Sequence, residues 1–510
     1  MIEKMKALKI IFGRLSWILL AAVVEVYITI SIFNWFGEQA TWIETALRLL
    51  SIVIVFMIIK NSRHLSSDIV WILTIIAFPV PGTVLYLFLG ANLFVSKTYR
   101  LIKESEENSS RYYNQDENVL KELEESSPEF KGQFHYISQY AGYPFYRNTG
   151  FDYYGLGDTG YPVMIEELKK AEKFIFLEYF IIEEGKMWNG ILEVLEEKAK
   201  QGVDVRVMYD DLGSFFTLSG SYAKKLEEKG IKCLPFNRVN PILSVILNHR
   251  DHRKIMVIDG KVAFSGGINL ADEYINEKHR FGQWKDNVIR VQGEAVWSYT
   301  VMFLTHWNAL RKEDYTFLSF KGEALPGKED GYIAPYGETP LDNEIVAQNI
   351  YMSILNQANQ YCYIFTPYLI IDTEMINALI LSAKSGVDVR IVTPGIPDKK
   401  MVYRITRSYY RQLIEGGVKI IEYTPGFVHS KVFVADDIIA TVGTVNLDYR
   451  SLYLHFENGT YLYDSKKIKD IRKDLEEAIA AGHEVTLQEA SYGIIREFLL
   501  SVLRLFAPLI

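Results

Sequence analysis

The chain has 510 residues, with 55 Lys/Arg against 63 Asp/Glu and a formal net charge of −8. That length allows two ordinary domains plus an appendage. Residues 1–100 carry nine Lys/Arg and five Asp/Glu, a net of +4, so residues 101–510 carry −12; so acidic a body argues against a general nucleic-acid binder, and two cysteines (Cys233 and Cys362) exclude a disulfide framework and a Cys-based zinc site.

Three apolar segments occupy the first hundred residues and predict a membrane region. Leu15–Phe36 is long enough to span a bilayer, which takes ~20 apolar residues, although Glu25 falls near its middle. Trp42–Ile59 spans if Glu44 and Arg48, an i,i+4 pair with the acid first, sit near the headgroups. Ile69–Phe94 has no charge but is interrupted by Pro79, Pro81 and Gly82, which permits a kinked span or a re-entrant hairpin. A cleaved signal peptide is not expected, because no small-residue cleavage site follows the first segment. Basic residues flank the region before residue 15, at Lys60 and Arg63, and at Lys97, Arg100 and Lys103. All three clusters fit the cytoplasmic side if two segments span and the third re-enters. A multi-pass cell-membrane protein with a cytoplasmic body is expected.

Residues 101–130 are charged and poor in bulky apolar side chains, and read as a linker or surface helix. From about 131 strands and amphipathic helices alternate. Phe174–Ile182 reads as a buried strand, Gly190–Gln201 as a helix and Val203–Tyr209 as the next strand. The same order returns with Tyr361–Ile371, Glu374–Ser385 and Val387–Val392. Identity is direct at one junction, Ala199-Lys-Gln-Gly-Val-Asp-Val-Arg206 against Ala383-Lys-Ser-Gly-Val-Asp-Val-Arg390. The body is therefore a duplicated α/β unit, over 131–325 and 326–490, since the period is too long for a solenoid. In the carboxy-terminal stretch 491–510, Ile495, Leu499, Val502, Leu503 and Phe506 can share one helix face. That face serves either for packing on the core or for lying in a lipid interface.

Each copy ends in the pattern H-x-K-x4-D-x6-G-[GT]-x-N: His252, Lys254, Asp259 and Asn269, then His429, Lys431, Asp436 and Asn446. Period-two alternation puts His252 and Lys254 on one face of a strand. Asp259-Gly260 is a turn signal, and a returning strand leads to Gly266-Gly267 and Asn269. One such motif alone is as compatible with a structural histidine as with chemistry, but two complete copies inside a repeat point to one two-fold site. One imidazole can attack phosphorus while a second protonates the leaving alcohol, so no metal or other cofactor is required. Two lysines and two asparagines supply donors for the non-bridging oxygens. Each histidine still needs an acidic partner to fix its tautomer.

These motifs, their spacing and the duplication resemble the phospholipase D superfamily, and more narrowly the bacterial cardiolipin synthases. Phe176-Leu-Glu-Tyr-Phe180, Gly282-Gln-Trp-Lys-Asp286, Phe365-Thr-Pro-Tyr368, Gly443-Thr-Val-Asn-Leu-Asp-Tyr-Arg-Ser451 and the terminal Leu505-Phe-Ala-Pro-Leu-Ile510 carry the resemblance, which covers nearly the whole chain. The first apolar segment is extra to the usual two and bears on topology, not on chemistry. The resemblance implies two α/β/α sandwich domains forming one active site behind transmembrane helices. It implies transfer of a phosphatidyl group between two phosphatidylglycerols through a phosphohistidine. By analogy His252 is the nucleophile and His429 the general acid and then base, an assignment the near symmetry allows to be reversed. Lys254, Lys431, Asn269 and Asn446 would hold the phosphate, and Asp286 and Glu457 orient the histidines. Asp259 and Asp436 are signature positions at turns, where structural support is expected. The expected partners are phospholipids and the bilayer, not nucleic acid; the oligomeric state is open, a homo-oligomer included. A phospholipase D that uses water as acceptor, or a non-catalytic membrane scaffold, are the competing readings.

Overall fold

The computed structural model describes residues 41–61, 65–87, 97–238, 249–314, 316–323 and 330–506, together with Tyr27 and Ser31. The chain divides into two units, one of residues 1–96, 238–249 and 505–510, the other of 97–237 and 250–504.

In the first unit the expected second segment is a helix, Thr41–Asn61. The third is broken at Phe78 into helices Leu65–Ala77 and Pro79–Leu85, as its prolines dictate. Ile54, Ile58, Trp71 and Ile75 pack together between them. Ser51 Oγ donates to the Pro79 carbonyl at 2.7 Å, and a side chain on Gly82 would collide with the Thr74 carbonyl at 2.6 Å, so the glycine permits the close approach. Ile52, Phe56, Met57 and Ile76 are more than half exposed. Among the described residues no helix is long and apolar enough to cross a membrane, so the transmembrane region expected over 1–100 is not confirmed. The expected segment Leu15–Phe36 lies, except for Tyr27 and Ser31, outside the described residues.

The second unit holds both copies. Strands β1 Thr149–Tyr154, β2 Phe174–Tyr179, β3 Asp204–Asp210, β4 Lys232–Phe236, β5 Lys254–Ile258, β6 Val262–Gly266, β7 Gln283–Lys285 and β8 Val288–Gly293 come first. They are followed by β9 Tyr332–Glu338, β10 Tyr361–Phe365, β11 Leu369–Ile370, β12 Asp388–Pro394, β13 Lys419–Tyr423, β14 Gly426–Val428, β15 Val432–Ala435, β16 Ile439–Gly443, β17 Leu447–Asp448, β18 Glu457–Tyr463 and β19 His483–Glu484. The first sheet has seven strands in the order β1-β8-β6-β5-β2-β3-β4, and the second has eight in the order β19-β13-β12-β10-β15-β16-β18-β9. Both mix parallel crossovers with an antiparallel hairpin: β2 pairs parallel with β3 and antiparallel with β5, while β10 pairs parallel with β12 and antiparallel with β15. The duplication read from the sequence is therefore a duplication of topology.

Strand alternation explains why helices cover both faces of the first sheet. Ile175 and Leu177 pack with Trp188, Ile191 and Leu195 of the helix Lys186–Lys200. Between them Phe176 points the other way and stacks on Phe303 at 4.6 Å. Phe303 belongs to the almost wholly buried helix Val296–Arg311, which touches β2, β5, β6 and β8 of the first sheet and β9 of the second. Residues 101–130, expected as a linker or surface helix, belong to this body. Helices Lys97–Ser109 and Glu117–Ser126 bury Tyr99, Ile102, Leu120 and Leu123, and Ser105 Oγ donates to the Thr305 carbonyl at 2.7 Å.

Main-chain contacts join the copies. β14 pairs parallel with β7, and Asp251 forms a bridge with Phe456. The His252 N–H donates to the Phe456 carbonyl at 2.9 Å and the His429 N–H to the Lys285 carbonyl at 2.8 Å. Each histidine is thus hung on the other copy's backbone.

Candidate active site

His252 lies just before β5 and His429 just after β14, and both are buried. Asp286 follows β7, and Glu457 opens β18. The two carboxylates reach the histidines crosswise. His252 Nδ1 lies 2.9 and 2.8 Å from the two Glu457 oxygens, and His429 Nδ1 lies 2.6 Å from Asp286 Oδ2. The motif and its orienting acid come from different copies in both cases. A carboxylate at Nδ1 selects the tautomer with the proton there and leaves the Nε2 lone pair free.

The lysines sit close by. Lys254 Nζ donates to the His252 carbonyl at 2.6 Å, and Lys431 Nζ contacts the His429 carbonyl and lies 2.9 Å from His429 Nδ1. Nδ1 cannot both donate to Asp286 and accept from Lys431. The shorter bond to a charged acceptor takes precedence, and the ammonium acts on the ring as a neighbouring charge. Burial pushes His252 down to about 3 and His429 to about 4, so both imidazoles are neutral at ordinary pH. Burial also lowers Lys254 to about 7 and Lys431 to about 8. Burial alone would raise Asp286 and Glu457, but the neighbouring histidines and, at Asp286, Lys431 outweigh it and hold both below the usual carboxylate range. The site is thus poised to gain charge when an anion enters.

The signature aspartates have the same task in each copy. Asp259 accepts from the backbone N–H groups of Glu172, Lys173 and Phe174 at 2.8–2.9 Å, and Asp436 from those of Asn359, Gln360 and Tyr361 at 2.7–2.9 Å. Both residues have positive φ, 54° and 55°, as a tight turn demands. They clamp the motif hairpin to the start of the neighbouring strand. Asn269 accepts from the Ile181 N–H at 3.0 Å and donates to the Tyr274 hydroxyl at 2.7 Å. Asn446 donates to Asp448 at 3.1 Å, while its buried Oδ1 has no hydrogen-bond partner.

Two further features were not read from the sequence. The first is a buried cluster beneath His252, where Arg253 lies 2.8 Å from Glu178 and 3.4 Å from Asp251, with His306 3.4 Å from Glu178. Ser430 occupies the matching position of the other copy, so this cluster braces one half alone. The second is His455. Aligning Trp284-Lys-Asp-Asn287 with His455-Phe-Glu-Asn458 places His455 opposite Trp284 in the repeat. Trp284 rests 5.5 Å from the His429 ring, and His455 5.7 Å from the His252 ring and 3.7 Å from Glu457. Both nitrogens of His455 are buried without a hydrogen-bond partner. His252, His455 and Glu457 bring ligand atoms within 4.8 Å of one another, as do Glu178, Asp251 and His306. The guanidinium of Arg253 disfavours a cation at the second place.

The family model described as "Cardiolipin synthase, PLD-like domain" matches residues 164–307 and 351–479. The chain belongs to the phospholipase D-like cardiolipin synthase family. A second model, the phospholipase D-nuclease N-terminal segment, matches residues 49–90. The chain is 34% identical to a cardiolipin synthase of Halalkalibacterium halodurans over 92% of its length and 95% of that protein, and 32% identical to one of Geobacillus thermodenitrificans over 96% and 98%. It is 46% identical to an uncharacterized protein of Streptococcus mutans over 89% of this chain and 99% of that one. The fold matches the crystal structure of a phosphatidylserine synthase of Haemophilus influenzae with a TM-score of 0.56, at 14% identity over 71% of this chain and 95% of that one. Family membership makes the chain an enzyme of the phosphatidyltransferase class. The two phospholipase D-like segments each contribute one histidine and the other's carboxylate to the crossed pairs.

Proposed function

We propose that the chain is a cardiolipin synthase that moves a phosphatidyl group between two phosphatidylglycerol molecules. The crossed pairs carry this reading, because they leave two neutral imidazoles with free Nε2 atoms in one two-fold site. In the first half-reaction His252 Nε2 attacks the phosphorus of one phosphatidylglycerol. His429 takes up a proton at Nε2 when the phosphate anion enters; the P–O bond to the headgroup glycerol then breaks, His429 gives that proton to the departing oxygen, and glycerol leaves. In the second, His429 takes the proton from a headgroup hydroxyl of another phosphatidylglycerol. The oxygen attacks phosphorus, the P–N bond to His252 breaks, and cardiolipin leaves. Lys254 and Lys431 become charged against the phosphoryl oxygens, and Asn446 offers its amide. Asn269 and Asn446 each have one amide N–H engaged, with Tyr274 and Asp448, and each offers the second to the phosphate.

Aromatic rings around the histidines favour a lipid alcohol over water as acceptor. Phe180 lies 5.0 Å from His252, and Tyr274 and Trp284 lie 5.6 and 5.5 Å from His429. The apolar amino-terminal segments and the match over 49–90 favour a multi-pass membrane protein with its body on the cytoplasmic side.

The test is purified protein in detergent with phosphatidylglycerol as the sole lipid. Cardiolipin and glycerol in equal amounts are expected. Phosphatidic acid as the main product would replace this reading with hydrolysis, and absence of turnover would leave the scaffold.

A further inference from the structure

The carboxy-terminal helix Ile494–Phe506 is mounted with its polar face inward. Glu497 pairs with Arg411 at 2.5 Å, Arg504 covers the Tyr409 ring at 3.9 Å and donates to Gln412 at 3.0 Å, and Leu500 is the one buried residue of the helix. The outward face carries Ile494, Ile495, Phe498 and Leu499, exposed by 86, 79, 67 and 57%. An amphipathic helix on a soluble body ordinarily turns the other way, and a contiguous apolar face of this kind marks a surface that meets something apolar.

A cationic cleft lies at the root of this helix. It is lined by Lys400, Tyr403, Arg404, Arg407, Tyr492 and Arg496. Among the described residues the acid that answers these charges is Glu422, 3.4 Å from Arg407 and bonded to the Tyr403 hydroxyl at 2.8 Å. Arg407 Nε is buried without a hydrogen-bond partner. Arg496 is stacked over the Tyr492 ring at 3.9 Å. In a body of net charge −12, this concentration of cations stands out. The loop before the cleft is linked to the active site through aromatic rings: Asp398 accepts from the Tyr368 hydroxyl at 2.7 Å, the Tyr368 ring lies 6.5 Å from Phe427, and Phe427 lies 5.9 Å from His429.

We infer that this cleft binds the phosphate of an anionic membrane phospholipid while the outward face of the terminal helix enters the acyl layer beside it. Arginines supply forked donors for phosphate oxygens, and tyrosines suit the headgroup level. The apolar face supplies the area that an interfacial helix needs, and the basic residues select for anionic lipid. Docked in this way, the catalytic body presents the rim at Asp398 to the lipid surface. The inference borrows from the proposed reaction only the choice of a bilayer as occupant.

Cys233 and Cys362 are both buried, so a cysteine introduced as Ile494→Cys can be labelled selectively with a polarity-sensitive fluorophore. The full chain is then placed in nanodiscs of phosphatidylcholine with or without phosphatidylglycerol, some lipids carrying brominated acyl chains. We expect a blue shift and bromine quenching that strengthen when phosphatidylglycerol is present. Arg404→Glu with Arg496→Glu should weaken that dependence by about fivefold for each basic residue lost, the effect of ~1 kcal/mol per charge. A label that stays in water overturns the inference. So does quenching that ignores phosphatidylglycerol and the charge reversals, inorganic phosphate replacing the lipid's effect, or shielding of the label that rises with protein concentration. Turnover measured in the same discs keeps the two readings apart: cardiolipin formation with an undocked helix sinks this inference alone, and a docked helix without turnover sinks the reaction alone.

Discussion

His252 of the first copy is hydrogen-bonded to Glu457 of the second, 2.8 Å from Nδ1 to Oε2. Glu457→Gln should therefore damage the chemistry assigned to His252, and Asp286→Asn that assigned to His429. Each loss should be about 10²–10⁴-fold in kcat, the range for a positioned proton-transfer group. Reactions with phosphate-labelled lipid, quenched in detergent at alkaline pH where a P–N bond survives, separate the roles. A phosphatidyl ester with a nitrophenol leaving group needs no proton from His429, so phosphoenzyme formation from it should recover in Asp286→Asn and not in Glu457→Gln. Equal recovery in both variants would contradict the crossed assignment.

Gly267 and Thr444 occupy the same place in the repeat and cannot be exchanged. A Cβ on Gly267 would sit 1.9 Å from Asp286 Oδ1, whereas the Thr444 hydroxyl donates to Glu457. Gly267→Ala should push Asp286 off His429 and cost at least about tenfold in kcat, since small misplacement of catalytic groups has large effects. Thr444→Ala removes the hydroxyl's bond to Glu457, worth about 1.5–3 kcal/mol because the acceptor is charged, together with its contacts to the Asn458 carbonyl and N–H. Steady-state rates of both variants check the pair. An unimpaired Gly267→Ala enzyme would show that Asp286 is not held where the structure places it.

Burial holds His252 near about 3 and His429 near about 4, below the ordinary 6.5. Between these values and 6.5 the unfolded chain binds protons that the folded chain does not, so stability rises with pH through this window. Acidification from about pH 6.5 towards 4 should cost up to about 1.4 kcal/mol per pH unit for each histidine. Thermal unfolding in one detergent, compared with a His252→Gln/His429→Gln double variant, isolates this slope. Parallel slopes for the two proteins would argue against neutral buried histidines.

His455 has two buried ring nitrogens that make no hydrogen bond, with Nδ1 3.7 Å from a Glu457 oxygen. Their partners are expected to arrive with the lipid. His455→Phe keeps the ring contact with His252 and removes the nitrogens, so it should raise KM by roughly tenfold, the effect of one or two lost hydrogen bonds. The melting temperature should hardly change. A large loss of stability with unchanged KM would make His455 a packing residue instead.

Much of this was legible in the sequence, and what was not has physical reasons. The duplicated Gly-Val-Asp-Val-Arg junction and the two motifs disclosed the repeat, because local periodicity and identity survive in one dimension. Asp286 and Glu457 were found as histidine partners, but the crossing was not, because strand pairing between β14 and β7 and the Asp251–Phe456 bridge bring distant segments together. The apolar face of the terminal helix was visible from its spacing. Its direction was not, because amphipathicity says which residues share a face and not which face meets the body. His455 could have been found by aligning Trp284-Lys-Asp-Asn287 with His455-Phe-Glu-Asn458. Residues 101–130 read as a linker or surface helix; they form helices that Ile102, Leu120 and Leu123 anchor to the body.

The crossed pairing also ties the evolution of the two halves together. A single half contains a histidine and a carboxylate that cannot serve each other, so a protein made of one such half would build this site only as a two-fold pair of identical chains. Once joined, the halves are free to differ only in matched sets. The shorter Asp286 goes with Gly267 and the longer Glu457 with Thr444, and a change in either set must be answered by the histidine loop of the opposite half.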